Sequence, residues 1–297
     1  MRKFTREEII NKNKNNMIPK EIKYEENLAF ISFSNEKEGL LFDDSKHKKY
    51  PIRYYNVLNG EGMPDLNNDC SYYAYIYDGS ACLSDERGMC SDLVTGMYFS
   101  MNGGFHFKTQ KSKMIIIEVL HTKGIYPETN YRAMNTVGGR IEERGRLKYI
   151  DGCTDSLLIA PVKMGDPCLN HLHFPTDITQ TAHTHPSHRI GIVADGHGEC
   201  VTPFGVLPLI KGMIFVIKEW HEEMDGQQKG IGLDGKEHLA GTHKFDTTDS
   251  HMDVIAFHPD SDFGATDIVH PMINRTIVEN EDGEFVSAGS IETIRTQ

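Results

Sequence analysis

No stretch of the 297-residue chain strings together the run of about eighteen apolar residues that crosses a bilayer as a helix. The opening MRKFTREEIINKNKNNMIPK lacks the apolar centre of a secretory leader, so a cytoplasmic protein is the expectation. Basic charge is also scarce: 31 Lys and Arg against 43 Asp and Glu leave a net charge of −12. Such a surface repels a phosphate backbone and argues against general nucleic-acid binding, although one inward arginine can still hold a small anion. None of Cys70, Cys82, Cys90, Cys153, Cys168 and Cys200 stands in C-x-x-C spacing, which removes the common zinc-ribbon and dithiol frameworks. Their even number is no sign of disulfides in a chain of this size, and they read as reduced, small hydrophobes. No G-x-G-x-x-G opens a helix and no G-x-x-x-x-G-K-S/T occurs, so nucleotide binding has no support. A G-x-S-x-G nucleophile elbow is absent too.

Sustained helical periodicity is missing as well. Helix-like spacing is confined to a piece near residues 5–15, so only short peripheral helices are expected. Short apolar runs punctuated by glycine fill the rest, which is the pattern of strands and turns. In the first half, YYAYIYDGSACLSD, DLVTGMYFSMNGGFHF and SKMIIIEVLH follow one another. In the second half, HRIGIVADGHGECVTPFG, LPLIKGMIFVIKEWHEEMDG and SHMDVIAFHP repeat that order. The repeat predicts an all-β protein built as a duplicated antiparallel jelly-roll, either sandwich or barrel. Residues 22–125 form the first expected domain, 126–150 a polar linker or arm, and 151–280 the second domain.

The histidines are not duplicated. Only His47, His106 and His121 fall in the first half, and twelve of the fifteen lie at or beyond His171. Within TAHTHPSHRIG, His183 and His185 are two apart, and on a strand both imidazoles would project from one face. A third ligand must come from elsewhere, and His221 at the end of the apolar run Gly212–Trp220 is the candidate. If the strand continues past Pro186, period two places Arg189 on the ligand face, where an inward cation calls for an anion. The competing expectation is a kink at Pro186, with Arg189 on a protein carboxylate and His188 turned inward. In the last strong strand His251, Asp253 and Ile255 share one face, with Met252, Val254, Ala256 and His258 on the other. Apolar members on both faces leave the inward one open.

His183-x-His185 with Gly196 eleven positions on resembles the first motif of the cupin superfamily, and KGMIFVIKEWH, with Gly212 and His221, resembles the second. The resemblance covers roughly residues 165–260, with a fainter echo over 65–122 that lacks the histidines. It implies a bicupin with one metal centre, and a homodimer, since cupins often associate through their sheets. Many cupins carry a glutamate ligand shortly after the second histidine. Here Arg189 and Ile190 stand instead, and arginine has no lone pair to donate. Glu219 and Glu223, alternating with His221, are the replacements to test.

The remaining set, His183, His185 and His221, is similar to that of thiol dioxygenases and of gentisate- or salicylate-type ring-cleaving dioxygenases. The implied cofactor is Fe(II), with Mn(II), Ni(II) or Zn(II) as alternatives. The implied partners are dioxygen and a small anionic, aromatic molecule. Arg189 is the expected substrate anchor and His251 a proton-transfer residue or an additional ligand, with His173, His188 and Glu223 supporting the ligands from behind. Two other readings stay open: a metal-dependent isomerase or lyase of the cupin type, and a non-enzymatic ligand-binding bicupin.

Overall fold

The run Met114–Leu120, MIIIEVL, is apolar at nearly every position, which a strand wetted on one face would not be. The computed structural model describes residues 24–86, 88–120, 135–161, 166–220, 228–260, 277–279 and 282–287, and it covers this strand on both sides. Ile115, Ile117 and Val119 pack against Ile190, Ile192, Ile255 and Phe257 of the second half. Met114 and Ile116 turn the other way, onto Tyr72, Ile76, Leu93 and Phe99 inside the first half. Full burial of each such side chain is worth about 1.5–3 kcal/mol, so the seam between the halves is a core in its own right. Tyr54 crosses it, donating its hydroxyl proton to the Gly191 carbonyl at 3.1 Å.

Every strand pairing is antiparallel. The first sheet contains β3 (Gly39–Asp44), β4 (Ile52–Leu58), β5 (Cys70–Asp85), β6 (Cys90–Val94), β7 (Tyr98–Asn102), β8 (Phe105–Leu120) and β9 (Thr136–Gly138), in the order β3-β4-β8-β5-β7-β9 with β6 on β5. The second contains β1 (Tyr24–Glu26), β2 (Phe30–Phe33), β10 (Leu147–Lys148), β11 (Thr154–Ile159), β12 (Cys168–Phe174), β13 (Arg189–Thr202), β14 (Gly205–Ile210), β15 (Ile214–Ile217), β18 (Lys244–Asp246) and β19 (Met252–His258). Its order is β1-β2-β15-β13-β19-β12-β11-β10, with β14 and β18 also on β13. A small hairpin joins β16 (Lys229–Ile231) to β17 (Glu237–Leu239). The chain to Gly264 forms one compact unit; in the other, Ala265–Gln297, the described residues make the hairpin of β20 (Ile277–Glu279) and β21 (Phe285–Ser287).

Strand β13 makes the second sandwich. Its first part pairs with β15 and β19, its last part with β14 and β18, so it bends from one layer into the other. Gly196 sits at the bend with φ +68°, and a Cβ there would lie 1.9 Å from the His251 carbonyl oxygen. Only glycine meets both demands. The layers enclose Phe174, Val193, Leu209, Phe215, Met252 and Val254. Among the described residues the pairings leave open-edged layers, so of the two expected jelly-roll forms the sandwich holds and a closed barrel does not.

Strand β2, from the start of the first expected domain, hydrogen-bonds onto β15 of the second half, and β1 adds outside it. The stretch expected as an arm gives an edge strand to each sheet, β9 on β7 and β10 on β11. The expected helix near residues 5–15 lies outside the described residues. Among those described, the helical content is one 3-10 turn, Ile150–Gly152, and no helix is long and apolar enough to cross a membrane.

Candidate metal centre

Residues 179–183 run antiparallel to 243–246, and His183 and His243 exchange backbone hydrogen bonds of 2.9 and 3.0 Å. Residues directly opposed in such a pair project from the same face, so the two imidazoles meet, their centroids 4.6 Å apart. His185 joins them, 4.8 Å from His183 and 5.2 Å from His243. Its carbonyl accepts the Trp220 N–H at 2.8 Å, which ties this segment to the chain following β15. The ligand nitrogens of the three rings lie within 4.8 Å of one another.

Their protons are placed for metal binding. Nδ1 of His183 meets the Thr181 carbonyl at 2.7 Å, and Nδ1 of His243 meets the Gly241 carbonyl at 2.8 Å. A carbonyl only accepts, so Nδ1 carries the proton in both rings and Nε2 offers its lone pair. Burial pushes His243 down to about 3. Burial, then Arg189 and the neighbouring histidines, holds His185 far below the ordinary imidazole range. Neutral, fixed rings are what a divalent ion requires, and this donor set fits Fe(II), Mn(II), Ni(II) or Zn(II).

The cluster opens onto a cavity whose empty space, open solvent included, is about 370 Å³. Leu172, Phe215, Ile217, Phe245, Val254 and Ala256 form its apolar wall, and Tyr149, Gln180, Arg189 and His258 its polar one. No carboxylate lines it among the described residues. Arg189 Nη1 donates to Asp260 Oδ1 at 2.8 Å, and the Ser187 hydroxyl contacts both partners. Arg189 Nε is buried without a hydrogen-bond partner, so this cation is only partly satisfied by the protein.

No family model matches the sequence, and no curated protein does. Solved structures match by shape. The putative glyoxylate-induced protein from Pseudomonas aeruginosa is similar at TM-score 0.55 and 9% identity, covering 84% of this chain and 95% of its own. Protein Ylba from E. coli is similar at TM-score 0.50 and 12% identity, covering 84% and 90%. A cupin 2 conserved barrel domain protein from Leptotrichia buccalis matches at TM-score 0.48 and 12% identity, covering 82% and 93%. The chain shares the duplicated antiparallel β fold of the Pseudomonas and E. coli proteins.

This fold distributes the sequence candidates over three places. His183, His185 and Arg189 line the cavity. The chain bends at Pro186 and Ser187 instead of running on as a strand, so Arg189 both faces the cavity and pairs with a protein carboxylate. His173 and His251 lie on the far side of the sheet. Leu172, Val254 and Ala256 take the cavity face, and strand alternation turns His173 and Asp253 toward the first half, where His173 Nδ1 meets Asp253 Oδ1 at 2.8 Å. Glu219 and His188 also point away: Glu219 Oε1 pairs with His47 Nε2 at 3.1 Å, and the Glu219 N–H donates to His188 Nδ1 at 2.9 Å. His188 packs edge-on to Phe42, and burial pushes it down to about 4. Glu219 is thus not placed as a metal ligand. His221 and Glu223 lie outside the described residues.

The residue that sequence reasoning missed is His243. Its signal was faint: in GTHKF, His243 and Phe245 alternate inward after Gly241, but no spacing links them to residue 183. His258, which also lines the cavity, carries a pH signature. Burial, with Arg189 beside it, pushes its pKa down to about 3. Unfolded, this ring takes a proton below about 6.5, and folded it does not until about 3, so its stabilisation is complete above 6.5 and fades as pH falls. At pH 5 the expected loss is at most about 2 kcal/mol. Metal-free His258→Asn should therefore show a flatter stability profile from pH 7 to 5 than the parent protein in urea titrations. Asp155, pushed up to about 6 by burial, acts in the opposite sense but equally in both proteins.

Proposed function

We propose that this protein is a metal-dependent bicupin enzyme, and more finely an Fe(II) dioxygenase acting on a small anionic molecule with an aromatic body. The observation that carries the reading is the juxtaposition of three imidazoles with Arg189 in a cavity whose described lining has no carboxylate. His183, His185 and His243 would hold the ion. Neutral ligands leave its full charge uncompensated, and Arg189 adds a second cation, so an anion is the complementary occupant. An Fe(II) bound there supplies one-electron chemistry toward dioxygen. The protein's own contribution is binding and orientation. Arg189 anchors the anionic group, Phe215, Phe245 and Ile217 receive the apolar body and keep water out, and neutral His258 offers a hydrogen bond within the cavity.

The test is oxygen uptake by anaerobically Fe(II)-loaded protein across a panel of catechols, hydroxybenzoates, thiols and diketones. Substrate-dependent uptake, abolished in His243→Ala, is the expected result. Turnover without oxygen consumption would instead assign an isomerase or lyase, and binding without turnover a ligand-binding bicupin.

A further inference from the structure

A second group of ligands lies on the opposite side of the β12–β19 layer from the cavity. Asp195 of β13 and Asp253 of β19 are cross-strand partners, beside an irregularity in the pairing of those strands. Like charges directly opposed across a ladder repel, so this pair requires compensation. His251 stands between them, its Nε2 3.4 Å from Asp195 Oδ2 and 3.4 Å from Asp253 Oδ2.

The other oxygen of each carboxylate is already engaged. Asp253 Oδ1 accepts from His171 Nε2 at 2.9 Å and from His173 Nδ1 at 2.8 Å. Asp195 Oδ1 accepts from Lys211 Nζ at 2.8 Å. Each carboxylate is thereby oriented with Oδ2 turned to the same imidazole, the way a metal-binding carboxylate is held by groups behind it. His173 stacks on His251 with centroids 5.8 Å apart, which fixes the ring plane. The 3.4 Å separations are long for N–H···O hydrogen bonds, whose usual length is about 2.9–3.0 Å. They match the distance between two ligand atoms on one tetrahedral ion, each about 2.1 Å from it, which is about 3.4 Å. The three ligand atoms all lie within 4.8 Å of one another.

We propose that Asp195, His251 and Asp253 form a second divalent-cation site of zinc type, separate from the three-histidine cluster and independent of the reaction assigned to it. Asp253 is buried and Asp195 is exposed, so the ion would sit at the rim with a position open to solvent. It would cross-link β13 to β19 next to the bend at Gly196.

The experiment is Zn(II) titration of full-length protein by equilibrium dialysis with metal analysis, alongside thermal unfolding. His183→Ala/His243→Ala, which removes the cavity cluster, should retain one zinc per chain and a zinc-dependent rise in Tm. Adding Asp195→Asn and His251→Gln to that background should remove both. Should the quadruple variant fail to fold, His251→Gln in the parent protein serves, with zinc at this site weakened at least tenfold while Fe(II)-supported oxygen uptake persists. The proposal is overturned if the cavity-deficient variant binds no zinc, or if His251→Gln leaves zinc stoichiometry and affinity unchanged. Neither result bears on the three-histidine cluster, whose failure would show as Fe(II) binding indifferent to His243→Ala.

Discussion

His243→Ala should lower affinity for the ion in the cavity by at least about a hundredfold, because loss of a group merely supporting a ligand already costs about ten- to a hundredfold. His243 is buried, its Nδ1 proton is committed to the Gly241 carbonyl, and its backbone is locked opposite His183. No other described residue in the cavity can take its place: His258 is the one further imidazole there, and it lies outside the set of mutually close ligand atoms. Isothermal titration with Fe(II) or Mn(II) under anaerobic conditions measures the change. Loss of metal in His221→Ala with retention in His243→Ala would invert the assignment.

The second large effect concerns Arg189. Its side chain is 12% exposed and that of Asp260 2%, so the pair is well removed from water. Arg189→Met takes away the cation opposite a buried carboxylate, and breaking such a pair from one side costs about 3–5 kcal/mol. Replacing both partners with apolar residues removes the stranded charge, so Arg189→Met/Asp260→Leu should recover at least about 2 kcal/mol of that loss. Urea denaturation of the metal-free proteins reads both numbers. The same Arg189→Met change should raise KM for an anionic substrate while leaving metal content intact. A cost below about 1 kcal/mol, or a double variant no more stable than the single one, would show that the ion pair is not what holds this end of the cavity.

The duplicated β architecture was legible because strand, turn and glycine recur in the same order in both halves, and glycines such as Gly196 mark where the chain must bend. Sidedness was less legible. The Met114–Val119 part of β8 and strand β19 are buried on both faces, so period two carried no contrast, and the side taken by residues 251 and 253 depends on the packing of the first half against Ile255 and Phe257. For Arg189, period two reached the right side of the sheet by an incomplete route, since the bend at Pro186 and the pairing with Asp260 depend on a residue 71 positions away. The third imidazole was hidden for the same reason. A ligand two positions from its neighbour leaves a motif, whereas His243 meets His183 only through the hydrogen bonds that set the two segments in register.

The central claim is that one ion is shared by residues 183, 185 and 243. An anomalous-scattering difference map from crystals grown with one equivalent of Fe(II) per chain addresses it most directly. The account predicts a single strong peak enclosed by ring nitrogens of these three imidazoles. A peak elsewhere in the chain, with the space between the three rings empty, would contradict it.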